Sequence, residues 1–462
     1  MDLEIADLKK WFEGSNKEVL NDLFTFLRFK SVSTDPAFQP EVLKTAAFLK
    51  EYLERVGFSA ELWDTPNKQG GPVLFASRKA STPGAKTVVI YHHYDVQPPD
   101  PIELWDSGPF EPVIKDGQVY ARGAQDNKGQ CFYTLTLLKA IYQMGVAIDI
   151  NIKLFIEGEE ECGSRGSSAL LTSGKYDDRL KADYLLVVDG GLNADGVPGI
   201  NVGARGIACV NVMCKNAARD LHSGMTGGIV LNPAKALVRA LAACWDANGA
   251  IAIPGFYEDV AVMSKKEKEG LDFIFDETEF KRSTGARVLD PEPGYSAAES
   301  ASIRPTLEIN GITSGYGGQG TKTIIPSVAA CKLSMRLVLK QDPDKMAQLL
   351  VDFLQSKLPE GLEVSFDLHH GGAPFCTPAD SEVARVACEA FSEVLGGQCQ
   401  KFLCGGSIPI TPLLEKACGG EALVIGYGLE DDWIHAPNEH FALSRFEQGY
   451  LTMGRILSKL SR

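Results

Sequence analysis

The chain of 462 residues has no CxxC pair among its 11 cysteines. The set is odd in number and scattered. Several members, such as Cys209, Cys331 and Cys388, fall in strand or helix patterns. They read as small buried hydrophobes in a reducing cytosol rather than as a disulfide framework. No uninterrupted apolar run is long enough to span a bilayer. The opening MDLEIADLKKWFEGSNKEVL lacks an apolar core of signal-peptide length, so no export signal is expected and a cytoplasmic location is. Positive charge is in deficit: Lys and Arg number 46 against 60 Asp and Glu, a net -14. That balance argues against nucleic acid and anionic membrane as partners. Two catalytic signatures, GxSxG and HExxH, are also missing. GYGGQGTKT at 315–323 resembles a phosphate loop, but Thr321 separates Gly320 from Lys322, so the Walker pattern fails.

What is present is a soluble globular composition, 44% hydrophobic and 23% charged. The length suits about two to three domains. The first 205 or so residues alternate helix and strand signals. Ser15 and Glu18 have capping-box spacing ahead of an amphipathic run. Strands are expected near Ala60–Trp63, Val73–Ser77, Val88–Val96, Ile150–Ile156 and Tyr184–Asp189, and a helix over most of Gln130–Tyr142. This is an α/β layer pattern. From Ala208 it changes to β-α-β-β-α-β, the split motif of ferredoxin-like folds. Asn232-Pro233 and Asp342-Pro343 open its two helices, the first with Leu237, Val238, Leu241 and Trp245 on one face. The polar stretch 249–303 reads as an excursion within that motif. The α/β signal returns at Thr377. The expected architecture is an α/β catalytic domain (1–206 and 377–462) with a central, mostly parallel sheet. A ferredoxin-like α+β lid (207–376) interrupts it.

Four of the apolar runs end in residues that bind metals. VVIYHHYDV carries His93 and Asp95. NIKLFIEGEEE ends in Glu159, Glu160 and Glu161. DYLLVVDGG ends in Asp189, and ALVIGYGLEDDWIH leads to His435. Asp126, in RGAQDNKGQ, just precedes a helical stretch. Buried parallel strands of this kind gather ligands at their carboxyl ends. Each residue also has a bland reading: a solvated His-Asp pair, an acidic loop, an N-cap, a turn. Three successive acids at a sheet edge are costly unless cations offset them. Five candidate ligand positions, His93, Asp126, the Glu159–Glu161 run, Asp189 and His435, describe a site for two divalent ions with coordination left open for water. Glu160 and Glu161 cannot serve one geometry, so one is free to act as a base. His92 faces away from His93 and reads as structural.

These residues resemble the carnosinase/aminoacylase/glutamate-carboxypeptidase family of dinuclear zinc hydrolases, and carnosinase-type dipeptidases above all. The resemblance runs the length of the chain through HYDVQP, ARGAQDNKG, EGEEECGS, VVDGG, DLHSG, GGSIPIT and the distal histidine. It implies a metal-dependent dipeptidase that takes very short peptides with a free carboxylate. It implies two zinc ions per chain, with manganese or cobalt as alternatives. His93 and Asp189 would bind one ion, Glu161 and His435 the other, and Asp126 would bridge. Glu160 would be the general base and Asp95 would orient His93. The family's lid mediates homodimerisation, and His222 would reach the partner's site to stabilise the oxyanion. Thr323, Arg336 and Ser407 would hold the substrate. An N-acyl-amino-acid deacylase and an inactive metal-binding relative are the alternatives. Two departures stand out. His92 replaces a glycine common in the family. Leu403 stands where relatives often carry an arginine, which shifts the substrate carboxylate towards Arg336.

Overall fold

The computed structural model describes residues 3–66, 70–288, 290–406 and 408–462. Its central element is a nine-stranded sheet. Four interior strands are Asn151–Gly158, Thr87–His93, Tyr184–Val188 and Glu421–Ile425, in that spatial order. All three pairings between them are parallel. Runs of Val, Ile, Leu and Phe can do this because both faces are covered. Successive side chains point to opposite faces. Val88 and Ile90 therefore join one core, with Leu49, Leu138, Phe391 and Leu457 from helices. Val89 and Tyr91 join the other, with Leu170 and Leu414. Antiparallel strands flank the parallel centre. Gly71–Arg78 pairs with Asn151–Gly158 on one side, and Phe375–Cys376 with Gly199–Ala204 on the other. The four parallel strands thus open their carboxyl ends on one edge.

Helix Lys128–Met144 is buried at every position from Lys128 to Ile141. It runs beneath the sheet, and residue 126 lies just before its first turn. Gly129 is required there, since a Cβ would meet the Ala124 carbonyl oxygen at 1.9 Å. The chain between Gly206 and Gly372 builds a second sheet of four antiparallel strands. In spatial order these are Thr306–Ser314, Val328–Leu337, Gly206–Lys215 and Glu363–Gly372. Numbered along the chain, that order is 2-3-1-4, the ferredoxin-like arrangement. Helices Pro233–Ala242 and Pro343–Lys357 cover one face around a separate core that includes Val210, Leu237, Leu333 and Leu350. The expected caps are present: Asn232 accepts from the Lys235 N–H and Asp342 from the Lys345 N–H.

The structure corrects several local expectations. Ser15 starts no helix; it lies inside Ile5–Arg28, whose buried Leu8, Phe12, Val19 and Leu23 carry the apolar face through it. Val238 is not on the packed face. Ala236, Leu237, Ala240 and Leu241 are, Val238 is exposed, and the helix stops at Ala242, before Trp245. The run Gly315–Gly320 spells G-x-G-x-x-G, yet it follows an antiparallel lid strand and opens no helix, so the dinucleotide fingerprint fails. None of the 11 cysteines is in a disulfide. Among the described residues no helix is long and apolar enough to cross a membrane.

Candidate metal centre

The parallel edge brings five side chains together in two groups. His93, Asp126 and Asp189 form one, and Asp126, Glu161 and His435 the other; within each, the ligand atoms lie within 4.8 Å of one another. Asp126 belongs to both. Its Oδ1 is 3.1 Å from Nε2 of His93, and its Oδ2 is 3.0 Å from Nε2 of His435. Nε2 of His435 is also 3.3 Å from Glu161 Oε2, and Nε2 of His93 is 3.7 Å from Asp189 Oδ1. Both imidazoles present the same nitrogen to the shared carboxylate. His92, by contrast, is fully buried on the other face. Its ring lies 3.0 Å from Asn127 Oδ1 and 3.1 Å from Thr134 Oγ1, and burial pushes its pKa down to about 3. It is a neutral core histidine.

Four of the five candidate ligands are held from behind. Glu160 and Glu161 sit on a single 3-10 turn closed by Gly163 at φ 93°. The Asp95 carboxylate fixes that turn, accepting the backbone N–H of Glu160 at 3.2 Å and of Glu161 at 3.0 Å, with Ser33 Oγ at 2.6 Å. Nδ1 of His93 faces the carbonyl oxygen of Asp95 at 3.1 Å and its carboxylate at 3.4 Å. Asp95 thus meets both His93 and the acidic turn. Glu159 turns the other way and accepts from the N–H and hydroxyl of Ser167, so it supports helix Arg165–Thr172 rather than the metal edge.

Three supporting residues escaped the sequence reading. Glu439 is fully buried. It accepts from Arg122 Nη1 and from the backbone N–H groups of Gly123, Gln125 and Asp126, at 2.7–3.0 Å. Four donors fill a carboxylate's lone pairs. They lock the loop that carries Asp126. Stripping one partner from a buried ion pair such as Arg122–Glu439 costs about 3–5 kcal/mol. Asn127 donates to Asp189 Oδ1 at 2.7 Å, and Gln97 to Glu161 Oε2 at 2.7 Å. Nothing in APNEH singles out Glu439. Asn127 and Gln97 stand in motifs already noted, one residue after Asp126 and two after Asp95.

The electrostatics suit bound cations. Burial pushes the Glu161 carboxyl up to about 7, and it pushes Glu160 and Asp189 up as well; neighbouring carboxylates reinforce all three. Hydrogen bonds to Asp126 and Glu161 raise His435 to about 10. A set of two imidazoles and three carboxylates facing one shared oxygen pair fits two borderline divalent ions.

His222, Thr323 and Arg336 lie on the four-stranded unit or beside it. His222 is exposed and belongs to neither ligand group. Its two-residue strand pairs with Ile324–Ile325, and the Thr323 carbonyl accepts the Ser223 N–H at 3.1 Å, so His222 and Thr323 share one ribbon. Arg336 is half-buried on the sheet face away from the helices, opposite Ile207 and Thr306. Arg205, another residue the sequence reading passed over, lies close by. Burial first, then the Arg336 charge, lowers its pKa to about 10. Its Nε donates to the Gly405 carbonyl at 3.1 Å. Ser407 lies outside the described residues.

Comparison with known proteins agrees with this geometry. The chain is 30% identical to the Cys-Gly metallodipeptidase DUG1 of Candida albicans, over 98% of this chain and 97% of that one. It is 28% identical to the human Beta-Ala-His dipeptidase, over 88% and 83% of the two chains. Among solved structures, the di-peptidase Dug1p of Saccharomyces cerevisiae superposes with a TM-score of 0.83 at 27% identity, covering 100% of this chain and 99% of that one. An M20 family metallo-carboxypeptidase from Sulfolobus solfataricus gives 0.85 at 32% identity, covering 96% and 99%. Residues 89–459 match the model of peptidase family M20/M25/M40, and the chain belongs to that family.

Proposed function

We propose that this protein is a dizinc dipeptidase, a homodimer acting in the cytoplasm on dipeptides or very short peptides with a free carboxylate. The observation that carries the reading is Asp126, whose two oxygens each face a histidine from a different ligand group. His93 and Asp189 would hold one ion, Glu161 and His435 the other, with Asp126 between them. Two such ions, when bound, polarise the scissile carbonyl and acidify a water. Glu160 takes the proton from that water and later delivers it to the leaving amine. Its burial among charges supports the role, because a carboxyl pushed upward holds a proton longer than a solvated one. Asp95 keeps Glu160 and Glu161 in register and orients His93.

The domain division we propose is 1–206 with 377–462 as the catalytic unit and 207–376 as lid; the two sheets support it, although Phe375–Cys376 pairs with the larger sheet. Exposed Met225, Ile229 and Val238 on the lid support pairing of two copies through it. In that dimer His222 serves the partner's site as an oxyanion donor. Thr323, Arg336 and Ser407 hold the substrate, and Arg336 grips its carboxylate with two charge-assisted hydrogen bonds. Arg205, beside Arg336, supplies positive charge near the place where Leu403 replaces an arginine.

A turnover screen tests this reading. Dipeptides should be cleaved well, tripeptides less well, and N-acetyl, N-succinyl and N-carbamoyl amino acids poorly. Efficient cleavage of longer peptides from the carboxyl end would favour a carboxypeptidase, a reading supported by the Sulfolobus solfataricus relative. Amidating the C-terminus of a good dipeptide should lower kcat/KM by at least ~10-fold, about 1.4 kcal/mol of transition-state stabilisation. Arg336→Lys should lose activity on the acid and gain none on the amide. Equal rates on acid and amide would remove the carboxylate clamp from the account.

A further inference from the structure

The turn that delivers His435 carries an aromatic side chain that the reaction does not use. Trp433 lies two residues before His435, and its carbonyl accepts the Ala436 N–H at 3.1 Å. Two residues of chain span at most about 7 Å, so its Cα lies close to that of His435. Its backbone sits at φ 56°, in the left-handed region. A bulky residue there is strained, and a glycine would not be. Core packing does not offset that strain, because Trp433 is 52% exposed. The turn does not need the ring as an anchor either. Buried Asp432 binds the Arg445 guanidinium and the Leu429 N–H. Asn438 binds the Leu104 carbonyl and the Asp106 N–H, and Glu439 holds Arg122.

The ring has one aromatic neighbour. It stands edge-on to His440 at 5.7 Å and 82°, and His440 stacks on Tyr120 at 4.9 Å and 25°. This column braces one side of the indole and leaves the rest to solvent, beside exposed Ile434. A large, half-exposed aromatic ring next to a reaction centre is suited to receive an apolar group. Strain retained at such a position points to use rather than to folding.

We propose that Trp433 is a specificity-determining residue that receives the side chain of the substrate's amino-terminal residue and selects apolar and aromatic ones. This rests on the dipeptidase reading. With the carboxyl end held by the lid, the amino-terminal side chain is left to the catalytic-domain rim, of which Trp433 is part.

The experiment compares metal-loaded wild type, Trp433→Gly and Trp433→Phe on Gly-Ala, Leu-Ala and Phe-Ala, with melting temperature and molecular mass measured alongside. The glycine variant should melt no lower than wild type, since it relieves a left-handed residue. Its ratio of kcat/KM for Phe-Ala over Gly-Ala should fall at least ~10-fold, the scale of discrimination by an apolar contact, and mainly through KM. Trp433→Phe should recover part of the ratio. A uniform loss across the series would make Trp433 a support for His435, and a change of mass would make it a contact between copies; either overturns the inference. An unchanged ratio with normal dipeptide turnover overturns it alone. No dipeptide turnover by wild type removes the parent reading as well.

Discussion

Glu160→Gln is expected to keep both metal ions and to lose ~10²–10⁴-fold in kcat, the usual contribution of a positioned general base. Glutamine preserves the size of the side chain and its place on the 3-10 turn, whose backbone N–H groups bind Asp95. The carboxylate's charge and its ability to take a proton are lost. Glu161→Gln, one residue on, is the contrasting case. Its carboxylate lies against His435 and accepts from Gln97, so the change should weaken one metal ion before it slows chemistry. Metal content and kcat measured on both variants separate the two roles. Near-normal turnover by Glu160→Gln would remove it as the base.

The second large effect concerns assembly. His222→Ala homodimers should be nearly inactive with both metal ions bound, because the histidine is exposed on the lid and takes no part in either ligand group. Asp126→Ala homodimers should also be inactive, for the opposite reason: the shared ligand is gone. Hybrid dimers of the two variants contain one site with intact metal ligands and a partner with an intact His222. Activity should therefore reappear on mixing, at no more than about half the wild-type value per hybrid dimer, because only one of its two sites is complete. Demonstrated hybrids without recovery would place His222 in its own subunit's chemistry or outside it.

The parallel centre of the fold was legible because its strands are uniform apolar runs. TVVIYHH and YLLVV have no alternation to misread, and burial on both faces follows directly. Sidedness in the lid was equally clear in CKLSMRLVL, where Cys331, Leu333 and Met335 are buried and Lys332 is exposed. What failed was local signal against tertiary burial. Ser15 has the spacing of a cap, yet the apolar stripe of Ile5–Arg28 passes through it. Val238 matched a helical face but lies just off the stripe that packs on the lid sheet. The three-residue strands Val113–Lys115, Gln118–Tyr120 and His440–Ala442 are too short to carry a period.

The candidate site was legible to the extent that its residues end apolar runs. His93 ends a strand, and Asp189 and the Glu160–Glu161 turn follow others. The residues that hold those ligands from behind were not, because their partners are remote in sequence. Glu439 reaches Gln125 and Asp126 from 314 and 313 residues away. Arg205 gave no signal for the same reason: its contact, Gly405, is 200 residues along the chain.

The most direct test of the account is the metal content of the active protein. Elemental analysis of fully loaded enzyme should give two divalent ions per chain. Chelation should abolish activity, and zinc, manganese or cobalt should restore it. One ion or none per chain in protein at full activity would contradict the shared-carboxylate centre on which the proposed chemistry depends.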